Sequence, residues 1–375
     1  MRLEAVELHR LEMPLVRPFR SAHGERTSRD VLVVRVVCDE GEGWAECVAE
    51  PDPSYSPEYT AGAQAVLEDH LIPRLFGISE PFEASSVRGL LSPVVGHPMA
   101  KAAIEVALWD AQLRSQGQRL ADALGGIRPL VPAGVVVGIG ADAATMVAEV
   151  ADRVEEGYRR VKLKIAPGAD VERVRAVREA FPDLALQVDG NGAYSVADAL
   201  LLSKLDEFEL QYLEQPLAPD DWLASARLAS QLRTPICLDE PLVSAVSVGQ
   251  CLDLGACSVV NLKVGRVGGL QEAMDVYRLC IERRAGLWVG GMLETGLGRA
   301  VNVALASLAG FTMPGDLSAS SRYWHEDLTE PFELKDGCLA VPTDTGLGVA
   351  PRPDMLRKNR RSVKLMKREE IRAKP

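Results

Sequence analysis

Polar and apolar positions alternate along residues 3–15, LEAVELHRLEMPL, and the pattern returns in VLVVRVVCDEGEGWAECV, residues 31–48, broken at the turn-like DEGEG. Alternation with a period of two marks β-strands, so this region predicts a three-stranded antiparallel sheet. The period then changes to that of a helix in PEYTAGAQAVLEDHLIPRL and in HPMAKAAIEVALWDAQLRSQG, the second stopped by Gly117. Residues 1–128 therefore read as an α+β capping domain.

From Val131 onward short apolar runs alternate with amphipathic helices: AGVVVGI, RVKLKI, LALQVD, LQYLEQP, TPICLDE, SVVNLKVG, GLWVGGM and FTMPGD. Eight strand–helix repeats predict an α/β fold with a (β/α)8 TIM-type barrel over 129–322, in preference to a doubly wound sheet. Residues 323–375 are expected to pack back on the capping domain and to end in a basic tail.

Polar residues at the ends of five successive runs check the regularity. Lys164, Asp189, Glu214, Asp239 and Lys263 are separated by 25, 25, 25 and 24 residues. One strand–helix unit per step puts them at the C-terminal mouth of a barrel, where active sites of this fold lie. In RVKLKI, Val161, Leu163 and Ile165 share one face, and Lys162 and Lys164 share the other. A closed barrel has no solvated edge, so that second face is expected to be a site.

Three carboxylates on consecutive strands repel one another unless a cation neutralises them. Asp189, Glu214 and Asp239 are thus candidate ligands for one hard divalent ion per subunit, Mg2+ or Mn2+. Lys162, Lys164 and Lys263 flank them as candidate catalytic groups. A metal and like-charged neighbours would lower a lysine pKa from ~10.4 towards the ~7–8 that suits a general base. A cation with a lysine on either side suits removal of a proton α to a carboxylate. Asn191 and Glu240 adjoin the ligands and are expected to support them. Arg266 either tunes Lys263 by like charge or is an ordinary helix-start arginine.

Composition narrows the partners. A net charge of −11 argues against nucleic acid, although the stretch 357–375 holds nine basic and two acidic residues and is expected to be a solvated helix or tail. Seven cysteines without a CxxC pair read as free thiols in a reducing compartment. No apolar run reaches the roughly 18 residues of a membrane span, and the N-terminus does not look like a signal peptide. A cytoplasmic enzyme acting on a small carboxylate is the expectation.

KLK, VDGNGAY, LEQP, LDEP and NLKVGRVGG together resemble the muconate-lactonising subgroup of the enolase superfamily, in which a lysine base works with Mg2+. GLWVGGM has no histidine, unlike the mandelate racemase group, and GDLSAS lacks the DxD of dipeptide epimerases. GGMLETGLGRA and PGDLSASSRYW are similar to the o-succinylbenzoate synthase / N-acylamino acid racemase family. Gly190, Gly192 and Pro241 depart from its usual residues.

The resemblance implies syn dehydration of 2-succinyl-6-hydroxy-2,4-cyclohexadiene-1-carboxylate on the way to menaquinone, together with N-acylamino acid racemisation. A dedicated racemase, a muconate-type cycloisomerase and a non-catalytic barrel are the alternatives. It further implies a homo-oligomer, a lid formed by the 17–29 loop, and substrate contacts from Phe19, Tyr55, Gly291, Met292, Leu293 and Tyr323. Gly290, Gly291 and Gly296 are read as points of close backbone approach at the site.

Overall fold

The computed structural model describes residues 1–21 and 24–372. Strands β1 (Leu3–Ser21), β2 (Gly24–Cys38) and β3 (Gly41–Cys47) form the expected antiparallel meander. The VLVVRVV run is apolar at nearly every position because both faces of the sheet are covered. Leu32, Val34 and Val36 pack towards the Pro98–Ser115 helix, whereas Val31 and Val33 join Leu297, Trp324 and Leu356.

Two expectations change here. Much of the predicted 17–29 lid loop is a continuation of the β1–β2 hairpin, with Phe19 opposite Arg26 and Ser21 opposite Gly24 after a register shift beyond Pro14; its tip, residues 22–23, lies outside the described residues. The middle of the predicted basic tail is a strand. Arg360–Lys367 (β13) pairs with the outer edge of β1, giving the order β13-β1-β2-β3, and only 373–375 lie outside the described residues. Arg360, Arg361 and Lys364 stay exposed, so strand formation there satisfies the backbone and leaves the charges in water.

A two-stranded ribbon, β4 (Leu130–Pro132) with β12 (Cys338–Ala340), precedes the parallel sheet. That sheet comprises β5 (Val135–Val137), β6 (Arg160–Lys164), β7 (Ala185–Asp189), β8 (Leu213–Glu214), β9 (Ile236–Leu238), β10 (Val259–Leu262) and β11 (Gly286–Val289), paired in chain order. The eighth run, FTMPGD, forms no strand. It closes the ring through single hydrogen bonds: the Gly134 amide donates to Gly315 O at 2.8 Å, and the Asp316 amide donates to Val289 O at 3.0 Å. Pro314 has no amide hydrogen to add to a ladder.

The cap is joined to the barrel by buried carboxylates at helix N-termini. Glu105, on the Pro98–Ser115 helix, accepts hydrogen bonds from the amides of Leu270 (2.6 Å) and Gln271 (3.2 Å), which open the Leu270–Arg283 helix of the barrel. Gly269 has φ +135°, and a Cβ there would lie 1.6 Å from Glu105 Oε2, so only glycine permits this cap.

Burial pushes the Glu105 carboxyl up to about 7, against the pull of the Gln271 and Leu270 amides. Its folded pKa lies above its unfolded value, so the folded state holds the extra proton and stability falls as pH rises through that interval. Glu105→Gln removes this titration. Between pH 5 and pH 8 the wild type should lose on the order of 2–3 kcal/mol of unfolding free energy relative to the variant, measured by urea denaturation. Parallel pH profiles would contradict the assignment.

Candidate active site

Strand register decides which side chains enter the barrel. Lys164 pairs with Asp189 and Asp189 with Glu214, so these three stand level. Glu214 pairs with Cys237, which places Asp239 two residues further along; Leu238 pairs with Val260, which places Lys263 two further again. Every offset is even, so all five side chains stay on the inner face while rising with the stagger of tilted strands. The intervening residues, among them Leu163, Val188, Leu213, Leu238 and Leu262, face outward into the main core. Lys164 and Lys263 lie on β6 and at the end of β10, four positions apart in an eight-position ring. They therefore occupy opposite walls.

The interior is a contiguous ionic network. Lys162 Nζ lies 2.7 Å from Glu214 Oε2, 2.7 Å from Asp316 Oδ2 and 3.3 Å from Asp189 Oδ2, and 4.8 Å from the centre of the Trp288 ring. Lys164 Nζ donates to Asp189 Oδ2 (2.5 Å) and Asn191 Oδ1 (2.7 Å). Lys263 Nζ donates to Asp239 Oδ2 and to the Tyr55 hydroxyl, both at 2.7 Å. Tyr55 in turn donates to Asp239 Oδ2 at 2.9 Å. Gly290 makes room for this wall, since a Cβ there would lie 2.0 Å from Asn261 Oδ1 and 2.7 Å from Lys263 Cε.

Lys162 is 3% exposed, and although burial lowers its pKa, Asp316, Glu214 and Asp189 together hold it well above the ordinary lysine value. Among these carboxylates it is a cation. Arg266 is a partner of Asp239 (3.2 Å) and Tyr55, so it is neither a surface group nor simply a like-charged neighbour of Lys263. Burial would raise Asp239, but Arg266 and Lys263 outweigh it and hold the carboxyl low. Glu214, fully buried beside Asp189, is pushed up to about 8. Glu240 accepts from Asn191 Nδ2 at 3.2 Å.

As these side chains stand, no group of three His, Cys, Asp or Glu among the described residues is gathered closely enough to hold a metal ion. Lys162, Lys164 and Lys263 pair with these carboxylates. The donor set still fits a hard divalent ion: three carboxylates on adjacent strands, with Glu214 raised by burial and by the charge of Asp189.

A cleft of about 800 Å3, including its open mouth, lies above the network. Phe19, Tyr55, Gly291, Met292, Leu293 and Tyr323 all line it, together with Lys162, Lys164, Asp189, Asn191 and Lys263. Arg26 ties the β1–β2 hairpin to the Tyr55 segment through Asp52 (3.0 Å), Ser54 (3.0 Å) and Glu50. Gly296 stands apart from the cleft: its close approach is to Thr329.

Sequence reasoning passed over Asp316, Arg160, Trp288 and Glu294. Asp316 joins Lys162 to Arg160, whose Nη1 donates to Asp316 Oδ1 at 2.6 Å. The regular step announced it: from Lys263 the next run ends at Gly290, 27 residues on, and the one after at Asp316, a further 26. Glu294 lines the cleft and accepts from Asn302 Nδ2 at 2.9 Å.

Residues 5–125 match the mandelate racemase / muconate lactonizing enzyme N-terminal domain, and residues 145–355 match the enolase C-terminal domain-like family. The chain is 51% identical over 357 residues to an N-succinylamino acid racemase of Amycolatopsis, covering 95% of this chain and 97% of the relative. It is 42% identical over 358 residues to an o-succinylbenzoate synthase of Bacillus subtilis, covering 95% and 96%. The crystal structure of an enolase superfamily member from Listeria innocua superposes with a TM-score of 0.95 at 38% identity, covering 98% of this chain and 100% of that one.

Asp316→Asn should leave Lys162 and Arg160 short of one buried anion. Breaking a buried pair from one side costs about 3–5 kcal/mol, so a loss of that order in urea denaturation is expected. A loss below about 1 kcal/mol would mean that Glu214 and Asp189 suffice for Lys162.

Proposed function

Because the chain belongs to the mandelate racemase / muconate lactonizing enzyme family of the enolase superfamily, we propose that it moves the proton α to the carboxylate of small succinyl-bearing substrates. Two reactions share this step: dehydration of 2-succinyl-6-hydroxy-2,4-cyclohexadiene-1-carboxylate to o-succinylbenzoate, and racemisation of N-succinylamino acids. Relatives that cover nearly the whole chain carry both names. The observation that carries the proposal is the placement of Lys164 and Lys263 on opposite walls of one cleft.

Enzymes of this family are metal-dependent. Mg2+ or Mn2+, one per subunit, would be held by Asp189, Glu214 and Asp239 and would supply positive charge to the substrate carboxylate as electron density builds there. The remaining work falls to the chain. Lys162, fixed between Asp316 and Glu214, holds a permanent charge beneath the cleft. In dehydration Lys164 takes the C1 proton and returns it on the same face to the departing hydroxide, so that water leaves. Lys263 then serves as a cation and needs no proton transfer. In racemisation one lysine removes the α-proton and the other delivers a proton to the opposite face, so both must exchange protons. Tyr55 and Asp239 orient Lys263 for either role. Six of the seven cysteines are buried and all are free, in keeping with a reducing, cytoplasmic setting. A homo-oligomer belongs to the same proposal.

Lys164→Ala should abolish both reactions. Lys263→Arg keeps the charge but stays protonated near neutral pH, so racemisation should fall by at least about 100-fold while part of the dehydration survives. Both activities, and deuterium uptake by each N-succinylamino acid enantiomer in D2O, are to be measured on one preparation. Undiminished racemisation by Lys263→Arg would refute the two-lysine assignment. EDTA should silence the enzyme and Mg2+ or Mn2+ restore it.

A further inference from the structure

The wall of the cleft made by residues 291–294 includes an unfavourable backbone conformation that is held partly from the capping unit. Leu293, which lines the cleft, has φ +56°, a left-handed backbone that a branched side chain rarely adopts. The residues on either side must therefore be fastened. Glu294 O accepts from Arg299 Nη2 (3.0 Å) and Trp324 Nε1 (3.2 Å). Thr295 is wholly buried, and both its amide and its hydroxyl donate to one oxygen of Glu46, at 2.9 and 2.6 Å.

Glu46 belongs to β3 of the cap, so two of the bonds that fix this barrel wall come from a different sheet. It is 8% exposed, and its other oxygen, Oε1, accepts no hydrogen bond among the described residues. Burial pushes its carboxyl up while the buried Arg29 pulls it down, and a carboxylate short of hydrogen bonds in such a place is costly. Its two donors sit at the N-cap of the Gly296–Ala306 helix, where hydrogen bonds to an anion are strongest.

We propose that Glu46 is a positioning residue for substrate recognition: by clamping Thr295 it keeps Leu293 and the Gly291–Met292 backbone in the shape that grips the substrate. This rests on the function proposed above, since it assigns how that same cleft binds. The clamped segment supplies no group that moves a proton, so its contribution to ground-state and transition-state binding is expected to be similar. Loss of such uniform binding raises KM and spares kcat.

Two measurements on the full chain test this. In hydrogen–deuterium exchange, Glu46→Ala should accelerate exchange of the peptide spanning 291–297 by about 100-fold, as two bonds to a charged acceptor are lost, with β6–β8 unaffected. Glu46→Gln, which keeps an acceptor oxygen, should change it less than about 10-fold. In steady-state kinetics with N-succinylamino acids, Glu46→Ala should raise KM about 10-fold or more and leave kcat within about threefold. Unchanged exchange, or a fall in kcat at constant KM, overturns the proposal. Thr295→Val removes the hydroxyl half of the clamp and should raise KM about 10-fold on its own; if Glu46→Ala does not fold, an unaltered KM in this variant refutes the clamp. A wild type inactive on both succinyl substrates would refute the proposed function instead, and the exchange experiment would then decide the clamp alone.

Discussion

The pairing of buried charges inside the barrel is the constraint from which the rest of the molecule follows. Five cations, Arg160, Lys162, Lys164, Lys263 and Arg266, share the interior with five carboxylates, Asp189, Glu214, Asp239, Glu240 and Asp316, all buried or nearly so. Each ion taken out of water carries a desolvation penalty of several kcal/mol, so none can be left without an opposite charge in reach. The strands meet much of this demand by register: even offsets keep Lys164, Asp189, Glu214, Asp239 and Lys263 inside, and Leu163, Val188, Leu213, Leu238 and Leu262 outside. An ordinary barrel fills its centre with layers of apolar side chains. Here only the lower layer, Tyr212, Cys237, Val259 and Trp288, does so, and Trp288 meets the charges above it with its ring face.

A polar interior contributes little to stability, so the capping unit must be joined to the barrel by other means. Glu105 and Glu46 reach from the cap to amides that begin barrel helices, at Leu270 and Thr295. Both carboxyls are pushed up to about 7 by burial. They make the junction directional, since a carboxylate satisfies amides only at one end of one helix. An apolar contact of the same area would tolerate sliding, and a sliding cap would misplace Phe19 and Tyr55 over the cleft.

The chain was legible where one periodicity had one cause. Period two in KLK placed both lysines inside, and the 25-residue step lined up Lys164, Asp189, Glu214, Asp239 and Lys263. The same step, at 27 and 26 residues beyond Lys263, leads to Asp316 in the FTMPGD run, but the intervening run ends in glycines and carries no charged group to continue the series. The protonation of Lys162 was not legible either, because it depends on three carboxylates from other segments. RPFRSAHGERTSR and RRSVKLMK misled for a shared reason: their polar and charged residues read as loop and tail, whereas 17–21, 24–29 and Arg360–Lys367 belong to strands. Glu46 sits in a strand of ordinary alternation, and nothing local distinguishes it from a solvent-facing glutamate.

The pairing of β13 with β1 has a consequence for how the chain is made. Arg368 Nη1 meets Leu3 O across 365 residues, so the first strand receives its outer neighbour only after that length of chain has been made. At about 5–20 residues per second that is an interval on the order of 20–70 s during which an otherwise finished sheet presents a bare edge. Closing so long a loop is cheap at equilibrium, about 0.6 kcal/mol per doubling of length, and slow in time. An unpaired edge invites pairing with another chain. Glu4, Glu12 and Arg10 along β1 are charges placed where a nascent neighbour would try to add its own strand, and they guard that edge until the proper partner emerges.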